Sequence, residues 1–341
     1  MLDRRFGTGG IDMPRIVRFE SCGGPEVLKI EEQASRQPGK GEVRLRVQAA
    51  GLNRAESMFF RGQYLEAPKF PSGVGYEAAG VVDAVGPDID KSWIGKAVST
   101  IPSSMSAYPM LGEEAIAPLR ALGEYPKNLS PVEGAAIWMQ YLTAYGGLIA
   151  VAHLAKGEFV VITAASSSVG VAAIEIAKAE GAIAIATTRK GNKKAELLSL
   201  GASHVIATEE EDFVARVDEI TDGKGARVTF DPVAGPFLEK LALAAAPGGI
   251  ILEYGLLSLQ PPPFPFPTAL FKGLSIRGYT LFEITRDPQK LAAATKYVYG
   301  RLADGRLHPK IAKVFPFAQT VEAYRFLESN TQIGKVVISV P

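Results

Sequence analysis

Val160-Val161-Ile162-Thr163-Ala164-Ala165-Ser166-Ser167-Ser168-Val169-Gly170 runs straight into an amphipathic stretch at residues 171–180, so an apolar β-rich run meets a helix across a turn of small residues. Strand, small-residue turn and helix in that order open a βαβ unit, in which backbone N–H groups and the helix N-terminus can hold a pyrophosphate. The spacing is Ala164-x-x-Ser167-x-x-Gly170, not G-x-G-x-x-G. Only the glycine that permits close helix–strand packing is present, while three serine hydroxyls add donors. Alone, the stretch also fits a Ser-rich turn without ligand; its place in a series of such units favours the ligand.

The first run spans residues 159–165, and five more follow at 182–188, 204–207, 227–233, 250–255 and 274–280. Between them lie amphipathic stretches such as residues 212–220, where Phe213, Val217 and Ile220 recur at helical spacing with Val214 alongside. This alternation predicts a parallel sheet covered on both faces, a doubly wound α/β domain with strands enough for two mononucleotide-binding halves. The end of the second run bears on which dinucleotide is held. An NAD site places an Asp or Glu about 20 residues beyond the glycines to bond the ribose 2′-OH. Here the chain reads Thr187-Thr188-Arg189-Lys190-Gly191-Asn192-Lys193-Lys194, four cations and no acid. That predicts a 2′-phosphate ligand, hence NADPH, with Arg189 able to make a bidentate contact. A solvated helix start is the alternative, but a cationic first turn opposes the helix dipole unless an anion joins it.

Toward the N-terminus the pattern changes to Gly/Pro-punctuated β runs such as residues 42–47 and 79–86, which predict a compact β-rich domain. Residues 134–155 carry no formal charge, yet Gln140, Thr143, His153 and Gly146-Gly147 interrupt them, and Ser130-Pro131-Val132-Glu133 reads as a capping box. Two buried helices, one ending near the glycines, are expected there rather than a membrane span. A Pro-rich segment at 260–267 reads as an irregular loop, 287–299 as a helix and 335–340 as a strand. Residues 1–12 read as a disordered leader without the apolar core of a signal peptide, with Met13 as a candidate start.

The 341 residues are length enough for two domains. With 37 Lys+Arg against 36 Asp+Glu, the chain lacks the basic excess of a nucleic-acid binder, so any anionic ligand must be held locally. A single cysteine, Cys22, excludes an intramolecular disulfide and any metal cluster needing two cysteines of one chain. A reducing, cytoplasmic setting follows.

Further motifs accompany the Ser-rich turn: Cys22-Gly23-Gly24-Pro25-Glu26-Val27-Leu28, Ala50-Gly51-Leu52-Asn53-Arg54-Ala55-Glu56, Arg61-Gly62-Gln63-Tyr64 and Pro71-Ser72-Gly73-Val74-Gly75-Tyr76-Glu77-Ala78-Ala79-Gly80. Leu142-Thr143-Ala144-Tyr145, Asp231-Pro232-Val233, Arg277-Gly278-Tyr279-Thr280-Leu281-Phe282-Glu283 and Ile333-Gly334-Lys335-Val336-Val337 complete the set. Together they resemble the medium-chain dehydrogenase/reductase superfamily, in its zinc-independent quinone oxidoreductase (zeta-crystallin-like) group, over nearly everything after Met13. The resemblance implies an α/β fold with a Rossmann NADPH-binding domain at 140–280. It also implies a β-rich GroES-like catalytic domain at 13–139, completed by 281–341, with the active-site cleft between the two.

Carried over by residue, the resemblance puts Asn53, Tyr64 and Thr143 at the nicotinamide, Ser167, Ser168, Val169 and Gly170 at the pyrophosphate, and Arg189 and Lys193 at the 2′-phosphate. Gly255, Phe282 and Lys335 are further cofactor contacts. Zinc-dependent members carry a cysteine where this chain has Asn53 and a Gly-His-Glu where it has Gly75-Tyr76-Glu77, and the four-cysteine zinc lobe is missing. His153, His204 and His308 show no ligand spacing, so no metal is expected. The implied activity is hydride transfer from NADPH to a small-molecule electron acceptor, a quinone or an α,β-unsaturated carbonyl, with Tyr64 the candidate proton donor or a packing residue that shapes the pocket. An enoyl-thioester (acyl-CoA) reductase and a non-catalytic NADPH-binding protein are the alternatives. No nucleic-acid or membrane partner is expected, and the edge at 274–280 predicts a homodimer.

Overall fold

The computed structural model describes residues 13–341, so the expected leader at 1–12 lies outside the described residues. The chain divides into two units. One runs to Ala135 and adds Val314–Ser329 and Val336–Pro341; the other comprises Ala136–Lys313 and Asn330–Lys335.

In the second unit the six β-rich runs become Phe159–Ile162, Ile183–Thr188, His204–Ala207, Ala226–Asp231, Ala245–Glu253 and Ser275–Gly278. They form one parallel sheet in the spatial order third, second, first, fourth, fifth, sixth. Strand order reverses between the first and fourth, and open α/β sheets bind ligands beyond the strand ends at that point. Val161, Ile185, Ile206 and Ile251 of the sheet pack against Phe213, Val217, Leu238 and Leu241 of the covering helices. One of these, Phe213–Thr221, starts where the Asp212 carboxylate accepts from the amides of Val214 and Ala215.

The uncharged stretch holds two surprises of backbone. Ser130 and Glu133 form the expected capping box, but it opens only the short helix Pro131–Gly134. Helix Trp138–Tyr145 then continues past the glycine pair as a π-helical turn, Gly146–Val151, instead of ending there. Packing explains this: a Cβ at Gly146 would lie 2.0 Å from the Tyr279 hydroxyl, and one at Gly147 2.5 Å from the Phe230 ring. The glycines serve close approach, not termination. Among the described residues no helix is long and apolar enough to cross a membrane.

The tail divides differently from the expectation that 281–341 joins the first unit. Helix Pro288–Ala303 buries Ala294, Val298 and Leu302, and its Tyr297 ring packs 4.7 Å from that of Tyr145. Tyr297 and Arg301 both donate to Glu180, at 2.8 and 2.6 Å. These contacts hold residues 281–313 in the second unit. The Pro-rich segment also ends sooner than its composition suggests, because Phe266–Lys272 is helical, with Pro267 in the first turn where its missing N–H costs nothing.

The first unit is β-rich. Strand Glu42–Gly51, with Val43, Leu45 and Val47 alternately buried, pairs antiparallel with Glu77–Val85 and with Glu114–Pro118. Strand Lys335–Ser339 returns to pair Val337 with Gly51 and Ser339 with Ala49. A three-stranded sheet around Arg15–Phe19 lies beside them in sequence.

Candidate active site

In the first unit the central strand ends at Gly51 and delivers Asn53 to the start of helix Arg54–Phe60. Asn53 is buried, its side-chain amide donating to the Gly51 carbonyl at 3.1 Å and to Glu56 Oε1 at 3.1 Å. Glu56 is wholly buried and accepts hydrogen bonds at both carboxylate oxygens. Oε1 also takes the Tyr76 amide at 2.9 Å; Oε2 takes the Asn53 amide at 2.9 Å and the Tyr324 hydroxyl at 2.8 Å. One carboxylate therefore joins the Asn53 turn, the segment just before strand Glu77–Val85 and the returning helix Thr320–Glu328. Glu56 carries no role in the sequence reading, although the N-x-x-E spacing of a capping box is a local signal for it.

Tyr76 is buried and Tyr64 half-buried, their rings edge to face with centroids 6.1 Å apart. Burial raises both phenols above the ordinary tyrosine range. Tyr64 thus stays protonated through neutral pH. Its loop is pinned by Glu66, which accepts from Ser104 Oγ at 2.6 Å and from the amides of Met105 and Ser106. Against burial, those bonds hold the Glu66 carboxyl below its usual range.

In the second unit the Ser-rich turn joins the first strand to helix Ser168–Ala179. Ser167 caps that helix, its hydroxyl accepting from the Gly170 amide at 3.0 Å. Helix geometry leaves the Ser168 and Val169 amides without intrahelical acceptors, available to an anion. A Cβ at Gly170 would lie 2.6 Å from the Ala165 backbone, which is why this glycine survives where the other two do not. Thr143, buried on helix Trp138–Tyr145, donates its hydroxyl to the Met139 carbonyl. Gly255 is exposed just past the fifth strand, Phe282 opens a short helix under the guanidinium of Arg286, and Lys335 is buried.

The four cations after the second strand differ in use. Arg189 and Lys190 are exposed. Lys194 pairs with Glu211 at 2.6 Å, and Lys193 donates to Ser166, Asn330 and Gln332. Burial and the adjacent Arg189 charge lower Lys193. Space has therefore returned an acid that the eight-residue window did not contain. The half-buried turn, its free first-turn amides and the exposed Arg189 fit a dinucleotide carrying a 2′-phosphate.

Two carboxyls stand together at the ends of the fourth and fifth strands, where Asp231 and Glu253 are register partners. Asp231, fully buried, accepts from the Thr163 hydroxyl and from the amides of Val233 at 3.1 Å and Ala234 at 2.7 Å. Burial first, and then the Asp231 charge, push Glu253 up to about 9. The folded state thus keeps a proton that the unfolded chain releases above about pH 4.5, so this contribution to stability is lost as pH rises toward 9. Glu175, pushed up to about 7 by burial, acts in the same sense over a lower window. Thermal unfolding followed from about pH 6 to 9 should show Tm falling, and Glu253→Gln should flatten that fall. Equal slopes for wild type and variant would contradict the assignment.

Among the described residues no group of three or more His, Cys, Asp or Glu side chains converges as a metal site requires. The chain matches the alcohol dehydrogenase GroES-like domain family over residues 39–145 and the zinc-binding dehydrogenase family over residues 168–296. It is 30% identical over 330 residues to a quinone oxidoreductase of Pseudomonas aeruginosa, covering 96% of this chain and 99% of that one. The structure of Escherichia coli quinone oxidoreductase complexed with NADPH superimposes with a TM-score of 0.87 at 28% identity, over 95% of this chain and 99% of that one. The apo JamJ enoyl reductase superimposes with a TM-score of 0.85 at 28% identity, over 97% and 100%.

Proposed function

The chain belongs to the medium-chain dehydrogenase/reductase family, and from the site built on that scaffold we propose an NADPH-dependent oxidoreductase that reduces a quinone or an α,β-unsaturated carbonyl without a metal. NADPH supplies the hydride when bound. Ser167, Ser168, Val169 and Gly170 hold its pyrophosphate and Arg189 and Lys193 its 2′-phosphate, with Asn53 and Thr143 toward the nicotinamide and Gly255, Phe282 and Lys335 as further contacts. Asn53 and Tyr76 stand where zinc-dependent relatives place ligands, and the Asn53 amide is already committed to Glu56 and Gly51. Without a Lewis acid, an electron-poor acceptor is the substrate class that reacts readily.

The carrying observation is the half-buried Tyr64 phenol, its ring edge to face with that of the buried Tyr76, whose backbone amide donates to Glu56. As hydride reaches the acceptor, negative charge grows on its oxygen; Tyr64 gives that oxygen a proton and solvent restores it. Tyr64→Phe keeps the ring and should lower kcat at least roughly several-fold and up to about 10²-fold, the low end of what a positioned acid contributes, with NADPH affinity within about twofold. Wild-type turnover with both quinone and enone would make Tyr64 a packing residue.

The likeness to an enoyl reductase supports a second reading, an enoyl-thioester reductase. Turnover with phenanthrenequinone, an alkenal and crotonyl-CoA separates the acceptor classes, and no turnover with any would favour a non-catalytic NADPH-binding protein. The single cysteine, Cys22, is exposed and free, which suits the reducing cytoplasm.

A homodimer is part of the same proposal. Strand Ser275–Gly278 is the last of its sheet and presents an open edge. Near it in sequence, Leu259, Leu270 and Phe271 are 86%, 71% and 89% exposed, an apolar surface that a second copy would cover. Light scattering at micromolar concentration should give twice the chain mass, and Phe271→Glu should shift it toward the monomer. A monomeric wild type would reject the dimer.

A further inference from the structure

Asp231 is the junction of the segments that leave the parallel sheet at its ligand end. Its buried carboxylate accepts from the Thr163 hydroxyl, just past the first strand, and from the amides of Val233 and Ala234 in the loop after the fourth. That loop is zipped to the one after the fifth strand, where the amides of Tyr254, Leu257 and Ser258 donate to the carbonyls of Asp231, Pro232 and Val233 at 2.9, 2.9 and 2.8 Å. The two run so close that a Cβ at Gly255 would lie 2.8 Å from the Pro232 carbonyl.

Two residues beside this carboxylate are in the left-handed region without being glycine: Ala164, next to Thr163, at φ +44 and Ala234 at φ +56. Strained turns persist only when their surroundings over-determine them. Asp231 supplies that hold on both sides, on the turn that leads to Ser167 and on the loop that docks Gly255.

Glu253 is the register partner of Asp231. Both its carboxyl oxygens are buried, and among the described residues no donor reaches either. An anion so placed would have neither water nor a hydrogen bond, whereas the neutral acid carries a donor of its own. Asp231 has room for it: a carboxylate offers about four lone-pair sites, and the bonds from Thr163, Val233 and Ala234 leave one open. The other charged groups around the fifth strand are engaged or face solvent. Arg277 on the sixth strand pairs with Glu283, Lys272 donates to the carbonyls of Leu243 and Ala245 near the start of the fifth, and Glu239 and Lys240 on the covering helix Phe237–Ala244 are exposed. The neighbouring phenols of Tyr254 and Tyr279 are pushed up by burial and stay neutral.

We propose that Asp231 and Glu253 share one proton and together position the cofactor turn: the Glu253 acid donates to Asp231, and losing that proton to solvent sets two anions side by side and loosens both loops. The inference rests on the NADPH reading above, in which Ser167 and Gly255 meet the cofactor. Because the pair acts through backbone common to both dinucleotides, it serves NADPH and NADH alike. Burial and the Asp231 charge keep Glu253 protonated up to about 9, so binding is tightest below that value and weakens as pH rises through it.

Fluorescence titration of wild type with NADPH and NADH should show both affinities falling roughly five- to tenfold from about pH 7.5 to about 10. Glu253→Gln, whose amide donates in place of the acid and does not titrate, should flatten both falls to within about twofold. Glu253→Leu removes the donor altogether, so at about pH 7.5 it should bind both dinucleotides roughly three- to tenfold more weakly than wild type. In the cofactor-free Leu variant the Ala234 amide should exchange at least roughly tenfold faster. A Gln variant that falls as steeply as wild type overturns the proposal, as does a Leu variant with wild-type affinities or with wild-type exchange at Ala234. A wild-type protein that bound neither dinucleotide would instead defeat the NADPH reading, while exchange in the cofactor-free variant still judged the pair.

Discussion

Arg189→Ala should weaken NADPH binding by roughly ten- to a hundredfold and leave NADH binding nearly unchanged. A hydrogen bond to a charged group contributes ~1.5–3 kcal/mol, which is that range of affinity. The effect falls mainly on Arg189 because its neighbours are also engaged elsewhere: Lys194 pairs with Glu211, and Lys193 donates to Ser166, Asn330 and Gln332. Arg189 is exposed at the end of the second strand, and its charge is felt by Lys193, an electrostatic conflict that an arriving phosphate relieves. The check is a fluorescence titration of wild type and variant with both dinucleotides. A variant that loses NADH as steeply as NADPH, or loses neither, would contradict the assignment.

Glu56→Ala should be among the most destabilising single substitutions in the first unit, costing about 4 kcal/mol and lowering Tm on the order of 10 °C. Removing the carboxylate strips acceptors from the Asn53 amide and side chain, the Tyr76 amide and the Tyr324 hydroxyl, all in buried surroundings. Each buried donor left unmet costs ~1–3 kcal/mol, and shared relaxation keeps the sum below the simple total. Tyr324→Phe removes one donor and leaves the carboxylate its others, so its cost should be only ~1 kcal/mol. Thermal unfolding of the two variants against wild type measures both. A Glu56→Ala protein as stable as Tyr324→Phe would mean that these bonds do not act as one junction.

Local signals carried most of the fold. The six strands of the parallel sheet, the Ser130 capping box and the helix after the Ser-rich turn are each specified within about ten residues, where period and capping chemistry operate. What escaped was set by partners far along the chain. Tyr324 reaches Glu56 across 268 positions, and Lys193 reaches Asn330 and Gln332 across 137 and 139. A window of eight residues showed four cations without an acid, yet Glu211 lies 17 positions beyond Lys194 and pairs with it. Gly146 and Gly147 looked like a helix end because composition cannot distinguish a glycine that terminates from one that admits Tyr279 and Phe230. Helix Pro288–Ala303 joined the unexpected unit for the same reason, its apolar face matching Tyr145 and Glu180 in a way visible only once they are brought together.

The most direct test is steady-state oxidation of NADPH and of NADH by the chelator-dialysed protein with phenanthrenequinone as acceptor. The proposed function predicts turnover with NADPH at a kcat/KM at least roughly tenfold above that with NADH, undiminished by the dialysis. Activity that depends on restored zinc, equal use of the two dinucleotides, or no oxidation of NADPH would contradict it.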